Sequence, residues 1–152
     1  MAAPIDDGGF YLKVAYALSG CQLIEQELKL YITEALELAR KCIGRKLPFK
    51  ISGDDYADAS LERLIEAFRK LSDNEQLVKD LRKFKDERNF LSHKGITHCL
   101  DYEGELSETA ASEFQARLDA IQSEAGRLRI ELHEEANKFR GELYFGEFPN
   151  EG

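Results

Sequence analysis

The sequence predicts an all-α fold: an antiparallel four-helix bundle of two long helices and two shorter ones. Two observations carry that expectation. Apolar residues recur at alternating spacings of three and four along two long stretches, and the breaks between periodic stretches hold the Gly, Pro, Ser and Asp residues that stop and start helices. A chain of 152 residues buries about 70% of the surface its unfolded form exposes, enough for one core without disulfides or metal.

The first helix follows the seam Val14, Ala17, Cys21, Ile24, Leu28, Tyr31, Ala35, Leu38 and Cys42, and ends at Gly44. Gly20 either bends it or permits a close helix approach, and the period passes through it without a change of phase. Residues 44–58, with Pro48, Gly53 and Asp54-Asp55, read as a long connection. Ser60 then caps a short helix with Leu61, Leu64, Ile65, Phe68 and Leu71 on one side. Asp73 followed three residues later by Gln76 resembles a capping box for the third helix, which runs to His93 or Lys94 and stops at Gly95. Residues 95–106 form a loop or weak hairpin. From Ser107 a second long seam runs through Ala111, Phe114, Leu118, Ile121, Ala125, Leu128, Leu132 and Phe139. These limits divide the chain into a flexible N-terminus over 1–9, one helical domain over 10–140, and a C-terminal tail over 141–152. That tail frays unless Leu143, Tyr144, Phe145 and Phe148 dock on a neighbour.

Hydrophobic residues at 43% and charged residues at 33% describe an ordinary globular chain. The first nine residues lack the apolar run of a secretory leader, and no segment has the length of a membrane span, so the expected location is the cytoplasm and no membrane partner is expected. Cys21 and Cys42 fall on the first seam as small hydrophobes. Cys99 follows His98, but with His93 it fits no standard zinc spacing, so neither metal nor other cofactor is expected. His133-Glu134-Glu135-Ala136-Asn137 begins like a metalloprotease helix and lacks its second histidine.

The net charge is -8, yet residues 1–100 are neutral and the whole excess lies in residues 101–152. General affinity for DNA is not expected of such a chain. Two basic clusters stand inside the neutral part: Arg40, Lys41, Arg45, Lys46 and Lys50, and then Lys79, Arg82, Lys83, Lys85, Arg88 and Lys94. A local basic cleft for RNA is compatible with them.

The second cluster surrounds the run Glu87-Arg88-Asn89-Phe90-Leu91-Ser92-His93. Asn89 and His93 lie at i and i+4 and share a helix face, whereas Arg88 falls on the apolar stripe of Leu77, Leu81, Phe84 and Leu91. A cation there requires either a carboxylate such as Glu25 or Glu34, with His93 as a helix-capping residue, or a cleft where another chain packs.

This run resembles the signature of the HEPN superfamily, an Arg, a polar residue, three further residues and a His, late in a helix of a small all-α bundle. The resemblance covers most of residues 10–140. It implies a metal-independent endoribonuclease, with His93 as acid or base on the RNA 2'-hydroxyl, Arg88 as the clamp on the phosphate, and Asn89 orienting one of them. Glu87 would hold Arg88 in place, with Lys85 and Lys94 adding positive charge. Members are usually homodimers whose motif helices face each other. The resemblance extends to a toxin or phage-defence role with a cognate protein partner. A second reading is a non-catalytic HEPN-like module that binds a nucleotide, RNA or a protein partner.

Overall fold

The computed structural model describes residues 7–95, 100, 104–105 and 107–148. Its elements are α1 (Asp7–Ile43), α2 (Leu61–Leu71), α3 (Glu75–Phe90) and α4 (Glu108–Phe145), with a 3-10 turn at Gly53–Tyr56 and a π turn at Leu91–Gly95. All four α-helices contribute to one apolar core. No helix among the described residues is long and apolar enough to cross a membrane.

The two long helices form the frame. Val14, Ala17, Cys21, Ile24, Leu28 and Tyr31 of α1 are all buried, as are Ala111, Phe114, Leu118, Ile121, Ala125, Leu128 and Leu132 of α4. Gly20 is a point of close approach, since a Cβ placed there would lie 3.0 Å from the Cβ of Ala125. Beyond Tyr31 the expected seam weakens, with Ala35 still packed against the edge of the core. Ile32 and Leu36 enter the core while Ala35 and Leu38 are half-buried and Cys42 is exposed. A seam spaced at 3.5 residues drifts about 20° per heptad on a straight helix, so by its last turns it has rotated off the contact.

The chain reverses after α1 at Gly44, whose positive φ of 61° suits a residue without a Cβ and whose amide donates to Arg40 O at 3.0 Å. The connection then folds back on α1. A Cβ at Gly53 would collide with the Thr33 side chain, so the 3-10 turn lies flush on the helix only because residue 53 is glycine. Ser60 caps α2 by accepting from the Arg63 amide, as expected. The cap of α3 is Asn74, not Asp73: Asn74 Oδ1 accepts from the Leu77 amide at 3.0 Å.

Asn74 has a second task. Its side-chain amide donates to Glu135 Oε1 at 2.9 Å, Ser72 donates to Oε2 at 3.1 Å, and Lys138 donates to Oε1 at 2.6 Å. Glu135 thus occupies a seam position of α4 and ties it to the α2–α3 turn. Burial alone would push this carboxyl up, but the donors Lys138, Asn74 and Ser72 outweigh it and hold it below its ordinary value. Such a group stabilises the fold fully above its unfolded pKa, and that contribution is lost as pH falls through the lower folded value. Glu135→Gln should therefore reduce the loss of stability on acidification, read as the urea midpoint at pH 6 and pH 3.

α4 does not end at Gly141 but continues to Phe145. Leu143 is buried, and the Tyr144 hydroxyl donates to Glu34 Oε2 at 3.1 Å. Of the four side chains expected to dock, Leu143 and Tyr144 do so from this last helical turn and Phe148 lies against Lys41 beyond it, whereas Phe145 is 89% exposed. At the other end, α1 already takes in residues 7–9.

Candidate active site

Four buried side chains set the register of α3: Leu77, Val78, Leu81 and Phe84. They fix where each residue of its last turn points. Lys85 turns to α2, with Nζ 3.9 Å from Glu62 Oε1. Glu87 turns to α4, where Arg117 grips it through Nε at 2.7 Å and Nη2 at 2.9 Å. Arg88 turns to α1, with Nη2 3.4 Å from Glu25 Oε1. Asn89 is exposed.

Glu87 therefore does not hold Arg88. Successive residues of a helix face different neighbours, so the carboxylate beside Arg88 in sequence serves another helix. Its partner Arg117 also stacks 3.5 Å from the centre of the Phe90 ring, which packs on Phe114 with centroids 5.8 Å apart. This assembly fastens the end of α3 to α4. Sequence reasoning missed Arg117, since nothing in its spacing marks a partner across helices.

The Arg88 ion pair answers the question its seam position raises. Glu25, one of the two carboxylates the sequence nominates, is the partner, while Glu34 is taken by Arg140 at 2.8 Å. An arginine satisfied within its own chain needs no second subunit to account for its place on the stripe. The Arg88 pair is nonetheless longer than the 2.7 Å of Arg117 and Glu87, and about a third of the Arg88 side chain remains exposed. A guanidinium has five N–H donors, so a contact of this length leaves it able to engage a phosphate. Beneath the pair lies Cys21, whose thiol burial pushes up to about 11, partly offset by the charge of Arg88. Cys21 is a neutral packing group, as its seam position predicts.

α-Helical winding stops at Phe90, earlier than the sequence suggests. The amide of Leu91 donates to both Glu87 O and Arg88 O, and residues 91–95 form one π turn. Leu91 is buried and His93 is exposed. A π turn rotates the chain less per residue than an α-helix, so His93 departs from simple i, i+4 stacking over Asn89. The Lys94 side chain, and His98 and Cys99 of the expected loop or hairpin, lie outside the described residues.

The outer side of α3 carries Lys79, Arg82 and Lys83 with the exposed carboxylate Asp86 beside them, and Arg82 lies 3.4 Å from Glu66 of α2. The end of the helix thus presents a partly exposed guanidinium, an exposed amide and an exposed imidazole, next to a ridge of positive charge. Taken singly, a guanidinium and an amide can bind an anion and an imidazole can exchange a proton.

No protein-family model, no curated protein and no solved structure matches this chain.

Proposed function

We propose that this protein is a metal-independent endoribonuclease, built as an antiparallel four-helix bundle of the HEPN kind, with Arg88, Asn89 and His93 as its active residues. The observation that carries the reading is the exposure of Asn89 and His93 at the end of the helix that bears Arg88, whose ion pair with Glu25 is long and partly solvated. Arg140, by comparison, holds Glu34 at 2.8 Å with 18% of its side chain exposed.

RNA carries its own nucleophile, so the chemistry asks only for proton transfer and charge. His93 takes the proton of the 2'-hydroxyl, whose oxygen attacks the adjacent phosphorus. Arg88 binds the non-bridging oxygens as charge builds on the pentacoordinate phosphorus, and Asn89 hydrogen-bonds the phosphate. The bond to the 5'-oxygen breaks, that oxygen receives the proton from the His93 imidazolium, and the products are a 2',3'-cyclic phosphate and a 5'-hydroxyl. The Lys79, Arg82 and Lys83 ridge supplies attraction for the strand on either side. A toxin or defence role is the setting that the family likeness suggests for such an activity.

The ion pair between Arg88 and Glu25 favours one second reading, a non-catalytic module in which Arg88 is structural. Arg88→Lys separates the two. Lysine keeps the charge and its link to Glu25 but loses the bidentate fork on phosphate. The enzyme reading expects RNA cleavage in excess chelator by the wild type and a loss of at least about tenfold in Arg88→Lys, with helicity and melting unchanged, because partly exposed ion pairs contribute about 0–1 kcal/mol. Full activity in Arg88→Lys would reduce Arg88 to a simple charge. No cleavage by the wild type, with lowered melting in Arg88→Ala, would favour the module.

A further inference from the structure

The turn that carries the candidate residues is held from outside the core. Phe84 is the last buried side chain of α3 and Leu91 is the next one along the chain, and the six residues between them, 85–90, are each exposed or half-buried. Their orientation rests on contacts across helices. Lys85 lies 3.9 Å from Glu62 and Arg88 lies 3.4 Å from Glu25, both beyond the usual length of a charged hydrogen bond. Arg117 of α4 differs. It grips Glu87 at 2.7 Å and 2.9 Å while its guanidinium stacks 3.5 Å from the centre of the Phe90 ring.

Glu87 and Phe90 stand at i and i+3, on one side of the helix, and they bracket Arg88 and Asn89. One guanidinium thus holds both the residue before this pair and the residue after it. Phe90 packs in turn on Phe114, and Phe114 on Phe10 of α1, with centroids 5.8 Å and 6.2 Å apart, so the ring under Arg117 is backed by both long helices. Immediately beyond Phe90 the winding changes. The Leu91 amide donates to both Glu87 O and Arg88 O, and the π turn that carries His93 begins. Such a turn is a rare departure from α-helical winding, frequent at functional sites.

Stability alone gives this assembly little purpose. About two-fifths of each of the Arg117 and Glu87 side chains is exposed, and a pair so open to water contributes little to folding. What it supplies is direction. A two-pronged bond sets the carboxylate in the plane of the guanidinium, and the stack sets the ring beneath that plane, so together they define the rotation of α3 about its axis at Arg88. We propose that Arg117 is a positioning residue of the candidate active site. It fixes the last turn of α3, and with it the direction in which Arg88 and Asn89 point and from which the π turn carries His93. The catalytic consequence rests on the endoribonuclease reading, whereas the hold on the turn does not.

Charge is not the means. Lysine in place of Arg117 keeps a cation beside Glu87 but provides neither the fork nor the flat face. Reacting groups displaced by about 1 Å lose up to about 10²-fold in rate, so the cleavage step should slow by roughly 10–100-fold in both Arg117→Lys and Arg117→Gln. The half-saturating RNA concentration should move by less than about twofold, since Arg117 acts through the geometry of other residues and not by touching the strand.

Amide hydrogen exchange, followed by NMR on the full chain, tests the hold directly, because the Leu91 amide is bonded across the turn that Arg117 grips. In Arg117→Gln its exchange should quicken by at least about tenfold and the His93 ring signals should shift, while the amides of Leu81 and Phe84 and the melting temperature stay as in the wild type. Arg117→Lys should match Arg117→Gln in both exchange and single-turnover cleavage. Phe90→Leu, which keeps an apolar side chain and removes the stacking face, should quicken Leu91 exchange likewise, and it decides the matter should Arg117→Gln not fold. Unchanged Leu91 exchange in Arg117→Gln, an even rise along the whole of α3, or full recovery in Arg117→Lys would overturn the proposal. If the wild type cleaves no RNA, the reading of the site fails, and the exchange comparison alone decides on Arg117.

Discussion

His93→Ala is expected to lower RNA cleavage by about 10²–10⁴-fold, the range a positioned acid or base contributes. The expectation follows from where the chain leaves His93: past the last buried anchor, Leu91, in a π turn, exposed to solvent. Nothing in the core depends on the imidazole, so stability should change by no more than about 0.5 kcal/mol, as for surface substitutions generally. Single-turnover cleavage beside a thermal melt distinguishes lost chemistry from lost structure. A fall in activity that merely follows a fall in melting temperature would make His93 a helix-end residue without a chemical part.

The largest expected effect on stability lies elsewhere, at Glu34. This carboxylate is 5% exposed, yet it lies on α1 among apolar neighbours. Arg140 reaches it from α4 through Nη2 at 2.8 Å and Nε at 3.0 Å, and Tyr144 donates at 3.1 Å. Glu34→Ala removes the anion and leaves a mostly buried guanidinium with the weaker contacts of Asn137 and His133. Breaking a buried pair from one side costs about 3–5 kcal/mol, and the low end applies because Arg140 is still 18% exposed. In a domain of this size about 3 kcal/mol lowers the melting temperature by roughly 6–12 °C. The double replacement Glu34→Leu with Arg140→Met should recover much of that loss, since two apolar groups leave no charge behind. Equal destabilisation in the single and double variants would show that shape, not charge pairing, matters at this contact.

The long seams of α1 and α4 were legible because core-facing residues repeat along a helix, and the repeat is written in the sequence from Val14 to Tyr31 and from Ala111 to Leu132. The failure at Cys42 came from geometry the repeat does not contain: the slow rotation of a 3.5-residue seam on a straight helix. Glu135 was harder to anticipate. It sits in a seam position where an apolar residue is expected, and its donors come from the distant Ser72 and Asn74. The same limit applies to the candidate site. Arg88, Asn89 and His93 could be picked out by residue type and spacing, and Glu25 by the need for a buried cation to find an anion. The diversion of Glu87 to Arg117 could not, because a carboxylate's choice between two arginines depends on which helix lies beside it. The π turn was hidden as well, since Leu91 to Gly95 reads equally well as a last α-helical turn.

The central claim is that the RNA 2'-hydroxyl is the nucleophile, with Arg88 and His93 acting on it. Analysis of the cleaved ends tests this most directly, on RNA cut in excess chelator and on the same RNA carrying a 2'-methoxy group at the cleavage position. The account predicts a 2',3'-cyclic phosphate and a 5'-hydroxyl from the first substrate, and no cut at that bond in the second. Cleavage of the 2'-methoxy RNA at the same bond, or ends carrying a 3'-hydroxyl and a 5'-phosphate, would contradict it.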